Sequence, residues 1–343
     1  MSDEKDRITL EDATDLIRRA LVASGVSDAS ATSTATALVA AEAEGQVGHG
    51  FSRLADYAAQ VKTGKVDGTA IPKVTRPSLG TITVDAGSGF AYPAMAAGID
   101  AGIVAARENG VASIAISRSH HCGALSIQVE RIAEAGLIGI MVANSPAAIA
   151  PWGASEALYG TNPIAFSAPR PGQSPLVIDL SLSRVARGKV MHARKSGVPI
   201  PEGWALDKHG QPTTDPETAL EGTMVPIGEA KGTSLALMVE VLSAVLTGAN
   251  ISRDTGSFFT ADGPPPGTGQ FLLLIAPPDP EGFGARIEAL LTIIEGLEGA
   301  RLPGTRRLSV RENARTQGLM VPRGYLEQAH ALADQKFSPE PEA

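Results

Sequence analysis

The sequence predicts a mixed α/β (α+β) protein in which an all-helical N-terminal segment precedes a body of alternating strands and helices. Three observations carry that expectation. Apolar residues in the first 65 or so positions recur at helical spacing between capping and stopping residues; short β-branched runs recur beyond them; and Ala-rich helical stretches separate those runs. A length of 343 residues suits about two domains. The division expected is a helical unit over 1–75, joined by the C-terminal segment 308–343, and an α/β unit over 76–307.

Residues 1–8 are polar and expected to fray. Thr9 then reads as an N-cap with Asp12 three residues on, followed by Leu10, Ala13, Leu16, Ile17, Ala20 and Leu21 on one face. Gly25 stops that helix, and Asp28 is placed to cap a second that runs to about Glu44. A third is expected over 49–62, with Phe51, Leu54, Ala58 and Val61 turned inward and Gly64 at its end. The texture changes at Ile71-Pro72. Residues 81–85 alternate like a half-buried strand, while 112–116, 138–142, 176–180 and 271–275 read as buried strands. Helices are expected over 93–109, 124–134, 233–246 and 284–296. The Gly/Pro-rich stretch 187–226 is expected to be irregular, which in a loop of that length points to function.

Lys and Arg number 29 against 37 Asp and Glu, a net charge of −8, which speaks against a nucleic-acid partner. The longest uncharged apolar run, 135–143, is about half of the roughly 20 residues that span a bilayer, and no secretory pattern opens the chain. The single cysteine, Cys122, excludes an internal disulfide; a cytoplasmic protein is expected. Apolar residues make up 43% but aromatics only 4%, so Ala, Val, Ile and Leu must build the core. The 37 glycines and 24 prolines exceed the roughly 12% that the two average together, which suggests many tight turns and close backbone approaches.

Familiar nucleotide motifs are missing. Gly87-Ser88-Gly89 lacks the third glycine of a dinucleotide fingerprint, there is no phosphate loop of the G-x-x-x-x-G-K-[ST] kind, and no H-E-x-x-H or cysteine cluster suggests a metal. His49 and Arg53, four residues apart at a helix start, suit an acid/base beside a carboxylate anchor. Taken alone, such a pair more often lies on a solvated surface. Ser119-His120-His121-Cys122-Gly123 joins a buried strand to a helix, where α/β sheets bind ligands, although a capping turn reads equally well. Cys122 reads as a small buried hydrophobe. The loops 160–163 and 226–232 offer backbone N–H groups and Lys231 to an anion, and 301–307 gathers Arg301, Arg306 and Arg307, either as a solvated charge run or as a phosphate clamp.

In order along the chain, Gly48-His49-Gly50 with Arg53 and Tyr57, His121-Cys122-Gly123-Ala124, Gly160-Thr161-Asn162-Pro163, Ile178-Asp179-Leu180-Ser181, Gly188-Lys189 and Lys231-Gly232 resemble the type-2 malate/L-lactate dehydrogenase family. Sulfolactate and ureidoglycolate dehydrogenases, diketogulonate reductase and the Δ1-piperideine-2-carboxylate/Δ1-pyrroline-2-carboxylate reductases belong to the same family. The resemblance implies a homodimeric oxidoreductase that uses NAD or NADP on a fold other than the Rossmann type. It implies hydride transfer between nicotinamide and the α-carbon of a small 2-oxo acid/2-hydroxy acid of the malate, lactate or sulfolactate type; the alternative is reduction of a cyclic imino acid. His49 is then the proton donor, Arg53 the carboxylate anchor and Thr161 a further substrate contact. The cofactor lies against His121, Cys122, Gly123, Ala124 and Leu125; Asp179, Leu180 and Ser181; Glu229, Ala230 and Lys231; and Arg301, Gly304 and Arg307. Two positions depart from the pattern: Gly48 stands where many members have Ser, and Lys189 where the imine-reducing branch has the Asp of a relay. A catalytic part for Lys189 then consists of favouring the neutral form of His49.

Overall fold

The computed structural model describes residues 4–335, so residues 336–343 of the expected C-terminal segment, and residues 1–3, lie outside it. The chain opens with β1 (Lys5–Ile8) and the helices α1 (Leu10–Ala23), α2 (Asp28–Ala43) and α3 (Leu54–Lys62). Thr9 caps α1 as its spacing predicts, its Oγ1 accepting the Asp12 N–H at 3.0 Å. Ser27 rather than Asp28 caps α2, through the Ser30 N–H. The body follows with β2 (Lys73–Ser78), β3 (Thr81–Asp85), α4 (Ala91–Asn109), β4 (Val111–Ser119), α5 (Leu125–Glu134), β5 (Ile138–Ala143), β6 (Ile164–Ala168) and β7 (Leu176–Leu180). Next come α6 (Arg187–Ser196), β8 (Ala205–Leu206), β9 (Pro212–Thr213), α7 (Pro216–Glu221), β10 (Thr223–Met224) and α8 (Ala230–Glu240). The described chain closes with β11 (Thr268–Ile275), α9 (Pro280–Glu295), α10 (Thr305–Gln317), β12 (Leu319–Pro322) and α11 (Arg323–Ala333).

Seven strands form one mixed sheet in the order β2-β3-β4-β11-β5-β6-β7. The α4 crossover makes β3 and β4 parallel, and every other neighbouring pair is antiparallel. The late strand β11 lies at the centre, its Leu272 and Leu274 in one core with Ile82, Val84, Ile114 and Ile116. α4 packs on β3 and β4, α5 on β5 and β6, and α2 lies against α4.

Three expectations change. The start of the chain is not frayed throughout, because Lys5–Ile8 pairs antiparallel with Leu319–Pro322, a partner too distant for a local pattern to reveal. The helix expected from 49 begins at Leu54, preceded by two 3-10 turns, Val47–His49 and Phe51–Arg53. The stretch 187–226 holds two helices and a three-stranded sheet of β10, β8 and β9 rather than an irregular loop. At the other end, α11 packs on α1 and α10 on α2. No helix among the described residues is long and apolar enough to cross a membrane.

Candidate active site

The double 3-10 turn sets His49 and Arg53 at the wall of a cleft of about 800 Å³. The turn is held from below: Glu42 on α2 accepts the Phe51 N–H at 3.0 Å, and Gly50 lies over the same carboxylate. A Cβ on Gly50 would stand 2.0 Å from Glu42 Oε2. Gly50→Ala therefore has to displace Glu42, and it is expected to cost about 1–3 kcal/mol, read by thermal unfolding, with a rise in substrate KM. Burial also pushes the Glu42 carboxyl up to about 7. Its folded pKa lies above the unfolded one of 4.5, so the folded state holds more protons between these values and stability falls as pH rises through that window. Glu42→Gln, whose amide oxygen still accepts from Phe51, is expected to gain stability of the order of 3 kcal/mol at pH 8 and little at pH 4, measured as urea midpoints.

His49 is half-buried, its Nδ1 has no partner among the described residues, and its ring stacks on that of His121 with centroids 5.2 Å apart. Burial first, and the Arg53 charge second, push its pKa down to about 4. His121 is lowered by burial and the same arginine, and its Nδ1 lies 2.6 Å from the Tyr57 hydroxyl, which in turn meets Tyr92 at 3.1 Å. Burial raises Tyr57 above its ordinary range, so this chain of hydroxyls stays protonated. Arg53 donates from Nε to Gly48 O at 2.7 Å and lies 4.4 Å from the Phe259 ring centre. Its nearest carboxylate, Asp56, stands at 3.9 Å. An acid/base imidazole and a guanidinium with room for an anion thus face one cavity.

The adjacent histidines diverge. His120 is buried among Tyr57, Phe90 and Phe258 with neither ring nitrogen partnered among the described residues, and burial pushes it down to about 3. His121, Cys122, Gly123, Ala124 and Leu125 line the cleft. Gly123 takes φ +67°, and a Cβ there would lie 2.7 Å from the Tyr92 hydroxyl. The Cys122 thiol is pushed up to about 12 by burial and by Asp179, which leaves it a packed hydrophobe rather than a nucleophile. Thr161 lines the cleft too, its N–H donating to Ser145 Oγ at 3.1 Å. Asp179, Leu180 and Ser181 complete that wall, with Asp179 Oδ2 accepting the Ser126 N–H at the start of α5 (2.8 Å).

Not every expected residue reaches the cleft. Lys189 lies on the other side of α6, its ammonium 5.8 Å from the Trp204 ring centre, because Arg187, Met191 and Arg194 occupy the helix face turned to the cavity. Glu229, Ala230 and Lys231 start α8 and do not line the cleft; they adjoin its 179–181 wall through the Ile227 N–H, which donates to Leu182 O at 2.8 Å. Arg301, Gly304 and Arg307 border a second groove of about 660 Å³ that shares Gln46 and Asp179 with the cleft. The charge at Arg307 is already spent: it pairs with Glu44 at 2.6 Å and Glu130 at 2.8 Å, beside Arg311. The expected clamp therefore reduces to Arg301 and Arg306, which are exposed and have no carboxylate partner among the described residues.

Sequence reasoning missed two parts of the cleft. Arg187, Arg194 and Arg253 join Arg53 there, against Asp179 as the one carboxylate of the lining among the described residues. The i, i+4, i+7 spacing of Arg187, Met191 and Arg194 was their available signal. Phe258 and Phe259 form another wall, held by Gln60 Nε2, which donates to the carbonyls of Phe258 and Thr260, and by Lys65 Nζ, which donates to those of Ser257, Thr260 and Asp262.

Fold and site together define a class: a mixed-sheet α/β scaffold whose cleft sets a half-buried histidine beside four arginines. A sequence profile described as malate/L-lactate dehydrogenase matches residues 8–329, and the chain belongs to that family of oxidoreductases. It is 49% identical to a (2R)-3-sulfolactate dehydrogenase (NADP(+)) of Chromohalobacter salexigens, covering 95% of this chain and 98% of that protein. It is 39% identical to a Delta(1)-pyrroline-2-carboxylate/Delta(1)-piperideine-2-carboxylate reductase of Pseudomonas syringae pv. tomato, over 93% and 94% of the two chains. Among solved structures, the delta1-piperideine-2-carboxylate reductase from the same organism superposes with a TM-score of 0.90 at 38% identity, covering 95% of this chain and 99% of that one. Sulfolactate dehydrogenase from Methanocaldococcus jannaschii gives 0.88 at 28% identity, over 96% and 97%.

Proposed function

We propose that this chain is an NADP-dependent dehydrogenase for a small 2-hydroxy acid of the sulfolactate type, running between that acid and its 2-oxo form. The observation that carries the reading is the pairing, on one double turn, of His49 with Arg53 in a cleft where, among the described residues, the His49 Nδ1 is unpartnered and four arginines stand against one carboxylate. Arg53 holds the C1 carboxylate by a bidentate contact. His49 gives a proton to the C2 oxygen in reduction and takes it back in oxidation. Thr161, which lines the same cleft, contacts the same substrate. A bound nicotinamide supplies or accepts the hydride at the α-carbon.

The residues present suit such a dinucleotide. The cleft and its adjoining groove share Gln46 and Asp179, so together they admit an extended ligand, and Arg301 and Arg306 leave unpaired positive charge in the groove for a phosphate. Residues 121–125 and 179–181 would hold the nicotinamide half, with Glu229, Ala230 and Lys231 next to the latter. NADP rather than NAD agrees with the named cofactor of the 49% identical relative. Gly48, and Lys189 turned away to Trp204, supply no Ser/Asp relay, which favours the oxo acid over the cyclic imine. Consumption of NADPH and NADH with sulfopyruvate, oxaloacetate, pyruvate and Δ1-piperideine-2-carboxylate tests this; turnover confined to the imine would sink it.

The same reading includes a cytoplasmic homodimer with residues 1–75 and 308–343 as one unit and 76–307 as the other. Leu237, Val241, Val245 and Leu246 form an exposed apolar stripe on α8 and the π-turn after it, suited to cover by a second copy. Sedimentation is expected to give a mass near twice that of the chain, and Val245→Glu a monomer.

A further inference from the structure

Arg187 opens α6 and is a half-buried cation that no carboxylate answers among the described residues. Its Nη1 donates to Ala147 O at 3.0 Å and its Nη2 to Leu220 O at 3.2 Å. A guanidinium withdrawn from water and bonded only to carbonyls remains costly unless an anion joins it. Arg253 is tied to the same backbone: the Ala147 N–H donates to Ser252 O at 3.0 Å, and Arg253 is the next residue. Its side chain is 62% exposed and only loosely paired with Glu156, at 3.4 Å. Both arginines line the cleft that holds His49 and Arg53. Arg194 lies further along α6 and stands 3.8 Å from Glu217, which makes it the lesser candidate.

We propose that Arg187 and Arg253 form a second anion site, which takes an acid group on the β-carbon of the substrate. The chain thereby selects dianionic 2-oxo acids, with a sulfonate or carboxylate at that position, over monoanionic ones. This rests on the reading that Arg53 anchors the C1 carboxylate: with that end fixed, two further guanidiniums in the same cavity are available to a second negative group. Planar forks bonded in pairs to tetrahedral or planar oxyanions give strong and directional recognition. A substrate without that group leaves the pair unanswered, and sites built for polar partners reject such analogues sharply.

A phosphate of the cofactor has the same chemistry, so the test separates the two sources. Values of kcat/KM are measured for sulfopyruvate, oxaloacetate and the uncharged-tail analogue 2-oxobutanoate at saturating NADPH, in the native protein, Arg187→Met and Arg253→Met. The NADPH Kd is followed in parallel by nicotinamide fluorescence. The native protein is expected to prefer the better dianion about 100-fold or more, and each variant to lower that ratio about 10- to 100-fold with NADPH Kd within about twofold. Equal use of 2-oxobutanoate by the native protein overturns the proposal. An unchanged ratio in Arg253→Met, whose side chain is exposed and carries no packing of the core, does so as well. So does an Arg187→Met loss matched by lost NADPH affinity, which would make Arg187 a cofactor-phosphate contact. Failure to reduce any 2-oxo acid overturns the reading of the reaction and the proposal with it.

Discussion

Replacing His49 by Asn is expected to lower kcat for 2-oxo acid reduction about 10²- to 10⁴-fold, the usual contribution of a positioned acid or base. Cofactor affinity, read by nicotinamide fluorescence, is expected to persist; full turnover in the variant would remove His49 from the mechanism. The pH profile of the native protein provides an independent check. Burial and Arg53 hold His49 near 4 in the free protein, so the imidazolium that reduction needs becomes scarcer as pH rises. The logarithm of kcat/KM for reduction is then expected to fall with slope near −1 from pH 5 to 8. Oxidation needs the neutral ring, so its kcat/KM stays flat over that range and drops only below about pH 4. A bound carboxylate offsets Arg53 and favours the imidazolium. The kcat limb for reduction therefore lies at higher pH than the kcat/KM limb.

Arg53→Met is expected to cost about 3 kcal/mol in kcat/KM, near 10²-fold, since it leaves a substrate carboxylate without its fork. Arg53→Lys keeps the charge but not the planar pair of donors, and is expected to recover only part of this. The Met variant has a second signature. Removing a positive neighbour favours protonated His49, so the reduction limb moves to higher pH, towards the ordinary 6.5. A loss of kcat/KM with an unmoved limb would mean that Arg53 acts only by holding the turn through Gly48 O.

The helices at the start of the chain were legible because their signals are local: the Thr9 cap, the stops at Gly25 and Gly64, and the apolar face of α1 between them. The strands β3, β4, β5, β7 and β11 were visible as apolar runs, but their order was not, since β11 reaches the centre of the sheet from more than 120 positions beyond β5. Helical spacing singles out the pair His49 and Arg53, yet two 3-10 turns bring them to the cleft, turns set by Glu42 and Gly50. The helix α6 was hidden for a physical reason. Arg187, Lys189, Arg194 and Gly188 give it the texture of a loop, and only its packing, with Val190 and Ala193 buried, makes it a helix. Its two cleft arginines were hidden with it.

The tether from Gln60 and Lys65 to the 257–262 backbone has a consequence for how the specificity of this scaffold can change. Arg53 lies one residue before α3, the helix that carries Gln60, so the residue proposed to anchor the acid end and the aromatic wall beside it form one mechanical piece. Arg187 belongs to a different piece, α6. On the proposed roles, mutations on α6 exchange one substrate tail for another while the socket assigned to the 2-oxo acid head keeps its shape. Diversification of this kind needs no rebuilding of the catalytic turn.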